Sequence, residues 1–149
     1  FISRQAVDTS NPRGDASVTY PVAEYGHGDP LLLPGGRAAV TGVHVFRSGE
    51  IAQLEGMVLF GDNPSGQLFA IDADDLPDGG EEAIRVVYLN DGGEGKTLLE
   101  LVQEKGREQG RSGAEQADLR FGSSPDGRMF LLNKFDNTVR LLVPTLTQR

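Results

Sequence analysis

The sequence predicts an all-β chain of antiparallel β-propeller blades, about two of them, with room for one short helix. Three observations carry that expectation. Between residues 43 and 72 lie three short runs of β-forming residues, Val43-His44-Val45-Phe46, Met57-Val58-Leu59-Phe60 and Gln67-Leu68-Phe69-Ala70-Ile71, separated by turn chemistry. The same strand-turn-strand-turn-strand pattern recurs near the C-terminus, at 119–121, 128–132 and 138–143. The 20 glycines and 8 prolines among 149 residues supply the many tight turns that such a meander needs. Short apolar runs bounded by Gly, Pro, Asn, Asp and Ser are the mark of antiparallel strands, and their repetition marks stacked sheet units.

Taken in order, residues 1–16 are polar and rich in turn formers, and read as a loop. Arg13-Gly14-Asp15 spells an adhesion tripeptide, but three residues recur by chance and the loop reading stands. Residues 17–25 read as an outer strand interrupted by Pro21, which is tolerated only at an edge or a strand end. Residues 26–37 form a Gly/Pro-rich loop. A strand of small and β-branched residues follows over 38–46, and Ala38, Ala39, Thr41 and Gly42 mark it for close backbone packing as the innermost strand of a blade. After the two central strands, the acidic stretch 72–82 is a solvated connection, because Leu76 and Pro77 break the alternating oxygen ligands of a calcium loop. Residues 84–89 complete a four-stranded blade over 38–89. A short helix is expected within 96–108, and the last blade spans 117–144. The 149 residues thus form a single partial domain, and a chain opening on Phe1 is read as a piece of something longer.

Composition removes several functions. A net charge of -8 argues against nucleic acid, whose phosphates need a clustered basic face. The absence of cysteine excludes disulfides and thiolate metal sites, and fits the cytoplasm or a periplasm without disulfides. No run approaches the roughly 18 apolar residues of a membrane span. The stretch Asp91-Gly92-Gly93-Glu94-Gly95-Lys96-Thr97 resembles a phosphate loop, yet Asn90 stands where the motif needs its first glycine and no parallel βαβ pattern surrounds it, so a surface turn is expected.

Few titratable groups are candidates for chemistry. His44 sits mid-strand and reads as a structural histidine; His27 lies in a glycine-rich loop beside Asp29, where a base could sit. Arg120 enters the innermost strand of the last blade. In a propeller that entry lies at one mouth of the central channel, as do the turns between second and third strands, here 62–66 and 133–137. Arg120, Lys134 and Asn63 are therefore expected to converge at the mouth. Arg and Lys there suit a carboxylated ligand through charge-assisted hydrogen bonds. The competing reading is an ion pair within the fold, of Arg120 with Asp118 or of Lys134 with Asp136.

At these residues the chain resembles the C-terminal part of the glucose/sorbosone dehydrogenase family. The matching stretches are Thr41-Gly42 and Val45 to Gly49, Leu54-Glu55-Gly56, Leu59 to Asp62, Ser65 to Phe69, Asp118 to Gly122, and Pro125 to Lys134. The resemblance covers roughly residues 20–144. It implies a six-bladed propeller, periplasmic or secreted, that uses pyrroloquinoline quinone (PQQ) and calcium to oxidise an aldose at C1 by hydride transfer to the quinone. It also implies that the base histidine and most calcium ligands belong to earlier blades. The first second-to-third-strand turn, 62–66, has no basic residue, and Arg120 lies in the right segment in a shifted register. Arg120, Lys134 and Asn63 are the cofactor-binding candidates, no metal ligand is assigned, and the partners are a sugar and the rest of the propeller. These 149 residues alone are expected to be inactive. A non-catalytic propeller binding carbohydrate or protein at its mouth is the alternative, and a self-contained β-sandwich folding as a monomer is a third.

Overall fold

The computed structural model describes residues 19–145. Residues 1–16, with Arg13-Gly14-Asp15, and the beginning of the outer strand expected over 17–25 lie outside them. Antiparallel sheet dominates the described residues, joined by one helix.

The first sheet is a four-stranded meander in the order β1-β2-β3-β4: β1 (Val40–Val45), β2 (Met57–Asp62), β3 (Leu68–Asp72) and β4 (Arg85–Val87). The turn from β2 to β3 is tight because Gly66 adopts φ 69°, where any side chain would be strained. A Cβ on Gly66 would also lie 2.7 Å from the Ala117 Cβ. The register of β1 shifts between Thr41 and Val43, a bulge that puts Gly42 at φ 59° and presses it against the Phe121 ring.

A two-stranded hairpin follows, β5 (Leu89–Asp91) and β6 (Glu94–Lys96). Gly92 and Gly93 both have positive φ, as a two-residue hairpin turn requires. Thr97 then caps α1 (Leu98–Glu108): its side chain accepts from the Glu100 N–H and the Glu100 carboxylate accepts from the Thr97 N–H. The helix buries Leu98, Leu99, Val102 and Gly106. The second sheet has three strands in the order β7-β8-β9: β7 (Arg120–Ser123), β8 (Met129–Asn133) and β9 (Thr138–Leu141).

The two large sheets stack through apolar faces. Leu68, Leu98, Ala117, Leu119 and Leu131 form one cluster between them, and Phe46, Met57, Leu59, Ala70 and Met129 form another. A third cluster covers the far face of the first sheet, where Phe60, Phe69 and Ile71 meet Leu32, Tyr25, Ala23 and Ala38. The entry to β7 bonds to the Asn63 turn, while Gly127 beyond its other end lies against Ser48. Strands β1 and β7 therefore run in the same direction, side by side, as the first strands of neighbouring blades do.

Three elements differ from expectation. Residues 19–25 hold no strand: Glu24 N–H donates to Gly80 O and Gly79 N–H to Val22 O, so the segment runs along a loop instead of a ladder. Pro21, with no N–H to give, interrupts any such ladder. The strand expected over 84–89 divides at Tyr88, because Arg85–Val87 pairs with β3 while Leu89–Asp91 pairs with β6. Ala38 and Ala39 lie outside β1; Ala39 instead bonds to the β2–β3 turn, its N–H to Asp62 and its C=O to Asn63.

Candidate functional site

Two turns of the same kind sit at one end of the stacked sheets, and each is closed by a buried polar hub. In the first, Asp62 accepts from the Ala39 N–H (2.7 Å), the Ser65 N–H (2.9 Å), the Ser65 hydroxyl (2.6 Å) and the Tyr25 hydroxyl (3.3 Å). Burial, and then the Asp62 charge, push the Tyr25 pKa far upward. In the second, the Asn133 side-chain oxygen accepts from Phe135 N–H (2.8 Å) and Asp136 N–H (3.3 Å), and its amide donates to Ala117 O. Asp136 is buried and held by Thr138 and Arg140. Its burial opposes the charge, but those two partners outweigh it and leave the pKa lowered. Both turns are thereby fixed, with Asn63 on one and Lys134 on the other.

Between them stands Asp118, buried and in the left-handed region at φ 52°. Its carboxylate receives Arg120 Nη2 at 2.9 Å, Lys134 Nζ at 2.9 Å and Asn63 Nδ2 at 3.4 Å. The hydrogen bond from Lys134 does most to hold its pKa below the usual aspartate range, against the opposing effect of burial. Leu119 O anchors the same point, accepting from Asn63 Nδ2 (3.0 Å), Arg120 Nη1 (2.8 Å) and Thr41 Oγ1 (3.3 Å). The three residues expected at the mouth thus meet on one carboxylate.

The cations keep free surface. The side chains of Arg120 and Lys134 are 54% and 68% exposed, against 8% for Asp118. They border an open cavity of about 440 Å³ whose apolar wall is Leu132 and Val139. Two cations on one anion leave a net positive charge beside apolar surface, which suits a carboxylated ligand. Lys134 also lies 5.5 Å from the centroid of the Phe135 ring. A larger cavity of about 730 Å³ lies between the end of α1 and Phe135; of its charged groups, Arg111 is committed to Phe135 O and Asp136 to Arg140, while Glu115 also lines it.

The other sequence candidates are elsewhere. Lys96 is tied to Asp91 and Glu104, both at 2.8 Å, and these bonds, Asp91's first, raise its pKa. The exposed His27 bonds through Nδ1 to Gly36 O at 2.8 Å. His44 is half-buried in β1. Residues 73–81 are bends and coil, where Asp72 accepts the Asp74 N–H. Among the described residues no three His, Cys, Asp or Glu side chains gather into one group. Among the described residues, no helix is long and apolar enough to cross a membrane.

The ion pair of Arg120 with Asp118, the competing reading from the sequence, is present at 2.9 Å, but sequence reasoning missed Asp118 as the hub that also takes Lys134 and Asn63. It also paired Lys134 with Asp136, whereas Lys134 reaches Asp118 and Asp136 takes Arg140. Comparison with family models, curated proteins and solved structures gave no match to this chain.

Proposed function

We propose that this chain is part of a PQQ-dependent sugar dehydrogenase of periplasmic or secreted location, and that its contribution is one side of the cofactor's seat. The observation that carries the reading is the meeting of Arg120, Lys134 and Asn63 at Asp118, with two exposed cationic ends beside an apolar-walled cavity. Arg120 and Lys134 would receive quinone carboxylates, Asn63 and Asp118 would hold the two cations in place, and Leu132 and Val139 would lie along the ring system. The quinone, when bound, supplies the hydride acceptor for the aldose. The base and the calcium site are assigned to residues outside this chain, so the 149 residues alone are inactive.

Equilibrium titration of the protein with PQQ, with and without calcium, tests this. Lys134→Ala should weaken binding about tenfold or more, the scale of one charge-assisted hydrogen bond, while leaving the folded far-UV spectrum intact. Equal affinity in wild type and variant, or sugar-dependent dye reduction by these 149 residues alone, overturns the proposal. A non-catalytic propeller that takes a carbohydrate or protein at the same mouth is the second reading. It is favoured by the pairing of both cations with Asp118, which leaves less charge for an anionic ligand. A sugar that binds where PQQ does not would select it.

A further inference from the structure

Residues 111–119 have no regular structure, yet their backbone is pinned at several points. Arg111 N–H donates to Gly106 O (2.9 Å), Gln103 Nε2 to Ala114 O (2.9 Å) and Ala117 N–H to Pro64 O (2.6 Å), while the Asn133 amide donates to Ala117 O. Arg111 Nη1 ties the start of the loop to Phe135 O at 3.1 Å. The open cavity of about 730 Å³ lies against this fixed loop. It shares no lining residue with the cavity beside Arg120 and Lys134. A loop held in place before any ligand arrives loses little freedom on binding.

Two glycines in the cavity wall have no reason inside the fold. Gly106 stands in the last turn of α1, although glycine is the poorest helix former after proline. Beyond its own helix, a Cβ there would find only Ser112 O within 4 Å, at 3.9 Å, which is ordinary contact. Gly113 has open space around it and a φ outside the left-handed region. Gly61 is the contrast: a Cβ would lie 2.5 Å from Leu119, so packing alone demands glycine there. Where neither packing nor backbone angle demands glycine, the use left to it is close approach of a ligand to the backbone.

The chemistry of the rim selects the ligand. Asp136 is paired with Arg140, which leaves Arg111 and the exposed Glu115 as opposite charges that balance. Among the described residues the side chains of Ser112, Glu115 and Gln116 have no hydrogen-bond partner. Hydroxyl, carboxylate, amide and the remaining guanidinium N–H groups of Arg111 together offer donors and acceptors without net charge. Phe135, 38% exposed, and Val102 add apolar surface to the same wall. A ring bearing hydroxyls at its edge and C–H groups on its face answers to both. Hydroxyls donate and accept, and C–H groups pack against the electron-rich face of an aromatic ring. An anion would face Glu115, and a cation Arg111.

We propose that this cavity, between the end of α1 and the β8–β9 turn, is a binding site for a neutral saccharide. It is separate from the mouth and stands whether or not a quinone binds there.

Titration of the protein with glucose and with cellobiose, followed at its backbone amides by proton–nitrogen correlation NMR, tests this. The expected result is saturable shifts at Gly106, Gly113 and Gln116, and none at Arg120 or Lys134, with a Kd on the order of 1 mM for at least one sugar. Gly113→Phe puts a ring into open space without a clash and should weaken binding at least about tenfold. Gly106→Ala should raise Tm by about 2 °C or more, because alanine is the better helix former, and weaken binding at least about fivefold. A role in folding alone would give the first change without the second. Unchanged sugar affinity in either variant overturns the inference, as does the absence of shifts with both sugars at about tenfold the expected Kd. Shifts confined to Arg120 and Lys134 also overturn it and place the sugar at the mouth. Adenosine and free glutamine are the controls, and tighter binding of either at the same amides overturns the saccharide assignment. Titration with PQQ reports on the mouth separately, so either result can fail while the other stands.

Discussion

The first and second sheets share one frame, displaced by 71 residues, in which the pairs Leu59–Ala70 and Gly61–Leu68 answer to Phe130–Leu141 and Leu132–Val139 and Gly66 answers to Asn137, yet they are finished differently. β1–β4 is covered on both faces, by the second sheet and by residues 23–38, and its turn is sealed inward by Asp62, which is 0% exposed. Among the described residues β7–β9 is covered on one face, and its turn points Lys134 outward. The replacement of Asn63 by Lys134 at the same position of the frame turns a structural amide into a cationic site. The replacement of Leu68 by Val139 leaves an apolar residue in both units but changes what it meets. One frame therefore separates what builds the stack from what the stack presents: the first sheet is scaffold, and the second carries the exposed cations and the open face.

The largest expected effect breaks that comparison if it is wrong. Leu131 is 0% exposed between the sheets, so Leu131→Ala should cost about 2–5 kcal/mol in urea unfolding, from lost burial and the cavity left behind. Leu141→Ala, on the open face, should stay within about 0.5 kcal/mol in the isolated chain. Similar losses for the two would mean that the outward face is already packed.

The turns come next. Gly66→Ala should cost more than about 1 kcal/mol, because alanine is strained at φ 69°. The added Cβ also meets Ala117 at 2.7 Å and Leu98 at 2.9 Å, adding to the loss. Asn137→Gly, at the matching place in an exposed turn, should change stability by less than about 1 kcal/mol, as strain relief and unfolded-state entropy oppose each other. Thermal unfolding of the two variants reads this directly, and a neutral Gly66→Ala would show that the two turns are not held alike.

Much of this frame was legible in the chain. The runs at 57–60, 67–71 and 128–132 gave their strands because apolar residues cluster between Gly, Asn and Asp turns, and the helix was placed within two residues of its start. The convergence of Arg120, Lys134 and Asn63 followed from reading the two units as copies. Hydrogen bonding to partners distant in the chain was not legible. Nothing local divides 84–89 at Tyr88; the division exists because β3 and β6 claim different halves. Asp118 became a hub only because Lys134 folds back across a hairpin. Alternation also fails to say what covers a face: Leu68 and Ala70 read like Val139 and Leu141, but only the former are buried.

The smallest expected effect is a pH dependence that belongs to the second unit alone. Asp118 has a folded pKa below its ordinary 3.8, because Lys134, Asn63 and Arg120 favour its charged form. Its contribution to stability is therefore complete above the unfolded value and is lost as pH falls through the lower folded value. Asp118→Asn removes that dependence. Asp126 titrates in the same acid window, lowered to about 2 by hydrogen bonds from Arg128 and Ser124, but it does so in both proteins and cancels. The difference in unfolding free energy between wild type and Asp118→Asn should thus be constant above about pH 5 and shrink below about pH 4. Parallel curves across that range would mean that Arg120 and Lys134 are held by something other than this carboxylate. A difference that shrinks would establish that Arg120 and Lys134 are oriented by one shared carboxylate, which for Lys134 lies a hairpin away in the sequence.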